Sequence, residues 1–324
     1  MTLRLPLLLA LAASAALVGC DAASADRPDV VVSASLGAGE PLPPVTLSRA
    51  APLLDVYDPA ALAVDGARVV VALLAEDGAD QAVYAYVPGA PGEYVPADPA
   101  AVVLERRTYR LAVDVPDGAR LSAQTTVPAR FEVVEPPAAE VVYGDGQGPA
   151  ARVTQTSTAG RQSVFVGSTR ALAPDGWDRV EVDGAERFRS RGLPGRFRPT
   201  SFRQRVLGCE PDGDALVCES DPGTEDVLVG TSPVLNEAGY VDLGDGTILV
   251  RVPFIAFGYY GPQSLTLVSV DAALQAFVQT QAVQGGGTTL SPGEVPNVTT
   301  NVEGGLGVFG SFARARLTTS ITAP

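Results

Sequence analysis

Seven arginines lie within twenty residues of a chain that has neither lysine nor histidine. The segment, ERFRSRGLPGRFRPTSFRQR (186–205), carries a net charge of +6, whereas the whole chain carries −14. Planar guanidinium groups suit carboxylates and phosphates, so the segment predicts a patch for an anionic ligand, lipopolysaccharide or an acidic partner. The alternative is an exposed face whose arginines pair with acids of the chain itself. The candidate patch consists of Arg187, Arg189, Arg191, Arg196, Arg198, Arg203 and Arg205.

The missing residue types limit catalysis. Most general-base, triad and zinc chemistry depends on imidazole, which changes its charge near neutral pH. Without histidine and lysine, those mechanisms and Schiff-base chemistry are excluded. A carboxylate pair or a serine with an unusual base remains, and neither can be recognised from spacing. We therefore predict no enzyme, no catalytic residue, no metal and no cofactor. The acidic excess also argues against nucleic acid as a partner.

Two cysteines, Cys209 and Cys218, flank the turn sequence PDG in CEPDGDALVC. In an oxidising compartment, two cysteines joined across so short a hairpin predict a disulfide. A metal site with two cysteine ligands is the alternative, but the sequence offers no further soft ligand beside them.

Other short motifs resemble ligand sites. The Asp-Gly clusters at 144–148, 211–214 and 243–247 could supply oxygen ligands to calcium, but none continues to a closing glutamate. We predict that they are turns. Tyr259 and Tyr260 could form a surface aromatic pair used in binding, but we expect them to pack in the core or a turn.

The N-terminus predicts where the protein is located. One arginine precedes an apolar run, Leu5 to Val18, which is too short to span a bilayer. The run ends at Gly19 and Cys20, and LVGC resembles the lipobox at which bacterial lipoproteins are cleaved and acylated. We expect a signal peptide over 1–19, acyl chains such as palmitate on Cys20, and anchoring in the cell envelope, most simply at the outer membrane. A secreted chain with a free thiol is the alternative.

The mature chain has the pattern of an all-β protein. Short runs rich in valine, leucine, threonine and tyrosine alternate with glycine and proline turns. We predict a lipidated tether (20–28), an immunoglobulin-like β-sandwich (29–130) and a β-rich C-terminal domain (131–324). FEVVEPPAAEV (131–141) is a predicted linker or crossover. DAALQAFVQTQAV (271–283) predicts one helix, with Asp271 as its N-cap and Gly285 to Gly287 after its end.

The C-terminal stretch PGEVPNVTTNVEGGLGVFGSFARARL (292–317) resembles the closing motif of a family of bacterial lipoproteins, domain of unknown function 4249. The opening segment VVVSASLGAGEPLPPVTLSRAAPLLD is similar to the family's first two strands. The residues that match the closing motif are Pro296, Asn301, Gly304, Gly305, Gly307, Phe309 and Gly310. The resemblance implies a lipoprotein without an assigned activity, in a family often encoded beside outer-membrane nutrient receptors. We therefore expect a binding or accessory partner of such a receptor, with an unknown ligand. A structural or adhesive surface lipoprotein is the alternative.

Overall fold

The computed structural model describes residues 29–51, 58–146, 148–158, 161–162, 164–191, 197–235, 239–282 and 299–324. Cys20, the predicted signal peptide, the predicted tether as far as residue 28, Arg196 and the glycines after the predicted helix lie outside these residues. The fold is mostly β with several sheets, as the sequence predicts. No helix among the described residues is long and apolar enough to cross a bilayer.

Seven strands form the first part of the fold. Several of them alternate buried and less buried positions, as in β1, where Val30, Val32, Ala34 and Leu36 are all buried. The strands are β1 (Val30–Gly37), β2 (Val45–Arg49), β3 (Arg68–Leu74), β4 (Asp80–Pro88), β5 (Glu93–Pro96), β6 (Thr108–Asp114) and β7 (Arg120–Thr126). The sequence pattern predicts strands at 30–36, 44–50, 67–74, 82–87, 107–115 and 120–127, and of the seven strands only β5 lies outside these segments.

The remainder of the chain is also mainly strands. The first group is β8 (Val133–Glu135), β9 (Glu140–Val142), β10 (Ala150–Thr154), β11 (Ser157–Thr158), β12 (Arg161–Gln162), β13 (Val164–Ala171), β14 (Trp177–Val182), β15 (Ala185–Ser190), β16 (Cys209–Asp212) and β17 (Ala215–Cys218). The second group is β18 (Val229–Thr231), β19 (Tyr240–Asp242), β20 (Thr247–Arg251), β21 (Gly261–Val270) and β22 (Leu306–Thr322). The helices are α1 (Ser201–Val206), α2 (Glu225–Leu228) and α3 (Ala272–Ala282), and Phe254–Ala256 form a 3-10 turn.

The last strand, β22, belongs to both parts of the fold. Its first residues pair in parallel with β1, from Val31 opposite Leu306 to Gly37 opposite Phe312. Its remaining residues pair antiparallel with β21. The large sheet therefore runs β18-β13-β21-β22-β1-β2-β5-β4-β3-β6-β7, with β9 also beside β22.

One core joins the two parts. The apolar faces of β1, β2, β3, β6 and β7 share a cluster of buried side chains with those of β10, β13, β20 and β21. Phe131, just after β7, meets Phe165 of β13 edge to face, with 5.3 Å between ring centroids. A second, four-stranded sheet, β19-β20-β10-β8, contributes Ile248 and Val250 to the same core. The boundary at residue 130 therefore lies within a continuous core, and the division into two domains stays a prediction.

The segment 131–141, predicted to be a linker or crossover, contains β8 and β9. Between them lie Pro136 and Pro137, which have no N–H to donate to a sheet. β8 pairs with β10 in the four-stranded sheet, and β9 pairs in parallel with the end of β22. The two prolines thus lie where the chain passes from one sheet to the other.

The closing glycine motif brings backbones close together. Asn301 binds both backbone groups of Phe309, donating to its oxygen at 2.8 Å and accepting from its nitrogen at 3.0 Å. Gly307 has φ +100°, and a Cβ there would lie 2.0 Å from the carbonyl oxygen of Val32. A Cβ on Gly305 would also overlap its neighbours. The motif therefore lets β22 enter the sheet beside β1.

Helix α3 is fixed by a buried aspartate. Asp271, 4 % exposed, accepts a hydrogen bond from the backbone N–H of Leu274 at 2.9 Å, which is the N-cap arrangement the sequence predicts. It also accepts one from the hydroxyl of Thr125 on β7 at 2.6 Å, and that hydroxyl lies 2.6 Å from Ser311 of β22. Asp271 thus connects the helix, β7 and β22.

Candidate functional site

The arginine-rich segment begins in a small sheet inserted between β13 and β18. This sheet has the order β14-β15-β17-β16. Cys209 and Cys218 pair directly across the β16–β17 hairpin and form the predicted disulfide. On β15, Phe188 is buried against Cys218 of the neighbouring strand, whereas Arg187 and Arg189 lie on the opposite face. The alternation of the sequence therefore sets which side chains reach solvent.

The three arginines on and just after β15 each have a carboxylate within ion-pair distance. The N–O distances are 3.5 Å for Arg187–Glu219, 3.1 Å for Arg189–Asp212 and 2.6 Å for Arg191–Asp178. All three pairs are largely solvent-exposed, so each contributes little to stability. This part of the segment agrees with the interpretation that its arginines pair with acids of the chain itself.

Arg198 differs from these three. Its Nε is buried and has no hydrogen-bond partner. Within the described ranges, no carboxylate lies within ion-pair distance of its guanidinium. One acid that senses its charge is Asp175: burial raises the pKa of that carboxyl, and the positive charge of Arg198 partly opposes the rise. The positive charge of Arg198 therefore has no carboxylate in direct contact among the described residues and is balanced only by more distant acids such as Asp175.

The backbone around Arg198 is held by its neighbours. The N–H of Tyr260 donates to the carbonyl of Arg198 at 2.8 Å, and the N–H of Thr200 donates to the carbonyl of Gly258 at 3.0 Å. The buried hydroxyl of Thr200 also donates to the carbonyl of Phe257 at 3.3 Å. These bonds fix residues 198–200 against the chain that leads into β21. The base of the Arg198 side chain is thereby preorganised.

A cavity of about 560 Å³ opens beside Arg198. Its size lies within the range of small-molecule sites, roughly 300–1,000 Å³. Three chain segments form its walls: residues 197–198, the beginning of β21, and the paired residues of β9 and β22. We call it the Arg198 cavity; the lining residues that matter here are Phe197, Arg198, Tyr260, Pro262, Ile321 and Glu140.

The tyrosine pair is buried, as the sequence predicts. Tyr259 is fully buried and Tyr260 is 4 % exposed. The indole N–H of Trp177 donates to the hydroxyl of Tyr259 at 3.2 Å, and burial raises the pKa of that hydroxyl. The hydroxyl of Tyr260 accepts from the N–H of Ser201 at 3.2 Å, which fixes its ring at the cavity wall. Tyr260 thus packs in the core and also lines the candidate binding site.

The remaining candidate arginines occupy other positions. Arg203, on α1, lies against Gly258, and its Nε is buried without a hydrogen-bond partner. Arg205 is exposed and lines a separate hollow together with Arg187 and Glu219. The described members of the predicted patch thus fall into three environments: ion pairs on the small sheet, the Arg198 cavity, and the surroundings of α1.

Glu140, Pro262 and Ile321 were not among the predicted site residues. Glu140 comes from the segment predicted to be a linker, and Ile321 lies near the end of the chain. They meet because β9 pairs with the end of β22, with Ser320 opposite Glu140. No local sequence pattern indicates such a long-range pairing. Of the cavity residues named above, the sequence singles out Arg198 and Tyr260.

The Asp-Gly clusters at 211–214 and 243–247 lie at turns, as do residues 144–146 of the third cluster, of which residue 147 lies outside the described residues. Asp242 accepts from the N–H of Gly244 at 2.8 Å, and Asp245 accepts from the N–H of Thr247 at 3.0 Å. Asp245 is also paired with Arg152 at 2.5 Å. In the part of the chain that the structure describes, no group of three or more cysteine, aspartate or glutamate side chains could hold a metal ion.

A comparison with protein-family models matches residues 20–318 to the domain of unknown function DUF4249. The matched region covers both parts of the fold, including the inserted small sheet and the closing glycine motif. No curated protein matches the chain.

Proposed function

The chain belongs to the DUF4249 family, and on that premise we propose that it is a lipid-anchored envelope protein which acts by binding, as an accessory component beside an outer-membrane nutrient receptor. The observation that carries the proposal is the motif at Cys20, where a short apolar run ends in a small residue and a cysteine. The family match begins at this cysteine, so the preceding residues lie outside the family model, as those of a cleaved leader do.

The position of Cys20 suits a short anchor. Nine residues separate it from Val30, the first residue of β1. Fully extended, they reach about 30 Å. Each acyl methylene buried in the bilayer contributes about 0.8 kcal/mol, and more than one chain gives stable attachment. In the proposal, the folded part stays within this distance of the membrane surface.

A binding role is favoured over catalysis by the residues available. The chain has no histidine or lysine to act as a general base or an amine nucleophile. The Arg198 cavity combines one cation, one acid and apolar or aromatic walls. Such a lining recognises a ligand by charge and shape.

The anchor is tested by comparing the full-length protein with a Cys20→Ser variant in the native host. We expect the first to sediment with membranes and to carry acyl chains on an N-terminal Cys20, detected by mass spectrometry of its N-terminal peptide. The serine variant should lack these chains and leave the membrane fraction. An unmodified thiol at Cys20 in a chain released into the medium would contradict the proposal.

The receptor partnership is tested by affinity purification of the anchored protein from detergent-solubilised membranes. We expect a large outer-membrane receptor to co-purify at a fixed stoichiometry. The Cys20→Ser variant, purified in parallel, controls for non-specific capture. An anchored protein that reproducibly copurifies with no receptor would contradict the partnership and favour a structural or adhesive surface lipoprotein.

A further inference from the structure

We infer that the Arg198 cavity binds a small ligand that carries one carboxylate on an apolar or aromatic body. The inference rests on the proposed binding function and names the class of ligand for it. Two features lead to it: an arginine that has no carboxylate within ion-pair distance among the described residues, unlike the three arginines on and just after β15, and a cavity of small-molecule size that this arginine lines.

The first feature is the contrast among the arginines. Arg189 and Arg191, in the same segment, each have a carboxylate within 3.1 Å. The Nε of Arg198 is buried without a hydrogen-bond partner, although a buried donor left unsatisfied costs free energy. The cavity is lined by Arg198, and the guanidinium has no carboxylate within ion-pair distance among the described residues, so an anion in the cavity would supply the missing counter-charge. Guanidinium and carboxylate match in planar, bidentate geometry, which makes this pairing strong and directional.

The second feature is the shape of the walls. Phe197 and Pro262, both half-buried, supply apolar surface to the walls. Tyr260, 4 % exposed and fixed by its hydrogen bond with Ser201, and the fully buried Ile321 support the walls from within. These groups offer no charge, so they suit the carbon skeleton of a ligand rather than a hydrated ion. The ligand therefore combines an anionic end at Arg198 with an apolar body.

The charges of the cavity favour one negative charge over two. Glu140 lines the same cavity as Arg198, and the cation and the acid together leave the lining nearly neutral. Asp175, half-buried nearby, adds negative potential around Arg198. A single carboxylate is attracted by the guanidinium at short range, whereas the second charge of a phosphate monoester is repelled by both acids. The lining thus selects carboxylates over phosphates.

Trp177 provides an internal probe for the test. It is the only tryptophan of the chain, and its indole N–H bonds to Tyr259, the neighbour of Tyr260. We would titrate the full-length protein in detergent with 3-phenylpropionate, with its neutral amide and with phenyl phosphate, and follow the tryptophan fluorescence. We expect saturable binding of the carboxylate in the millimolar range or tighter, and at least about tenfold weaker binding of the amide and the phosphate.

Three variants assign the effect to the cavity. Arg198→Gln should weaken binding of the carboxylate about 10- to 100-fold, since a charge-assisted hydrogen bond is lost. Glu140→Gln should strengthen it about two- to fivefold by removing a nearby like charge. Arg189→Gln, the matched control, removes an arginine of the same segment that is paired with Asp212 outside the cavity, and it should leave binding unchanged.

The inference is overturned if acid and amide bind equally, if phenyl phosphate binds more tightly than the carboxylate, or if nothing saturates below about 10 mM. It is also overturned if Arg198→Gln binds as the unmodified protein does, or if Arg189→Gln loses affinity equally. Circular dichroism shows whether Arg198→Gln is folded; if it is not, Glu140→Gln and the acid–amide comparison still decide. Because no receptor takes part, this result is independent of the tests of anchoring and partnership.

Discussion

Replacing Asp271 by alanine should destabilise the protein by about 2–4 kcal/mol. Loss of a helix N-cap costs about 0.5–2 kcal/mol, and leaving the buried hydroxyl of Thr125 with one partner fewer costs about 1–3 kcal/mol. Both hydrogen bonds end on the same carboxyl group, which is 4 % exposed. Urea unfolding followed by circular dichroism measures the change, because α3 packs on the strand that joins the two parts of the fold.

Asparagine at position 271 separates the two roles of the side chain. It keeps the oxygen that accepts from the N–H of Leu274, and its NH2 group takes the place of the oxygen that faces Thr125, whose hydroxyl can accept a hydrogen bond instead of donating one. Asparagine is also as good an N-cap as aspartate. It also removes a charge whose burial is unfavourable. We therefore expect the free energy of unfolding of Asp271→Asn to stay within about 1 kcal/mol of that of the unmodified protein near neutral pH. It should be clearly higher than that of the alanine variant.

The pH dependence gives an independent check. Burial raises the pKa of Asp271 above its ordinary value, and the hydrogen bonds that the carboxyl accepts only partly oppose this rise. The stability contributed by Asp271 is therefore greatest below its unfolded-state pKa, about 3.9, and decreases as the pH rises through the folded-state pKa. Asparagine does not titrate, so the stability of Asp271→Asn relative to the unmodified protein should increase over that window. An asparagine variant as unstable as the alanine variant, or a difference independent of pH, would refute the reasoning.

Two further predictions concern the inserted sheet and the closing motif. The double variant Cys209→Ser/Cys218→Ser removes a crosslink between residues nine apart and should destabilise the small sheet by about 2–3 kcal/mol. Trp177 fluorescence should then show unfolding at a lower urea concentration than circular dichroism does. Coincident transitions would contradict this prediction. Gly307→Ala should destabilise the protein by 3 kcal/mol or more, roughly, because its Cβ overlaps a neighbouring carbonyl oxygen. Gly246→Ala, also at positive φ but with nothing within 4 Å of its Cβ, should cost only about 1–2 kcal/mol in the same urea titration, and equal losses would show that the overlap is unimportant.

The parts of the fold that depend on local patterns were predictable. The alternation in β1, β6 and β7 and the N-cap of α3 are properties of a few consecutive residues, and the structure has both. Strand β5 was missed because it has only four residues and ends in a proline. A segment that short carries almost no periodic signal.

The candidate site was only partly predictable, because its members are assembled by distant contacts. The segment 186–205 was recognisable by its charge, but which arginines are paired depends on acids such as Asp212 and Asp178, placed by the folding of the small sheet. Arg198 lies apart because its backbone pairs with Tyr260 rather than continuing the sheet. Glu140 reaches the cavity through pairing at the far end of β22. Each of these contacts is set by topology, which single-sequence patterns do not encode.

The pairing of β1 with β22 has a consequence for how the molecule is made. Val31 lies opposite Leu306, so the first strand finds one of its two neighbours only after nearly the whole polypeptide has been synthesised. Until then one edge of β1 lacks its partner, and an unpaired edge invites association with other chains. Contacts between the extremes of a sequence also slow folding, since a long loop must close before they form. We expect nascent chains that end before β22 to depend on a chaperone, and the complete chain to be the first length that resists proteolysis.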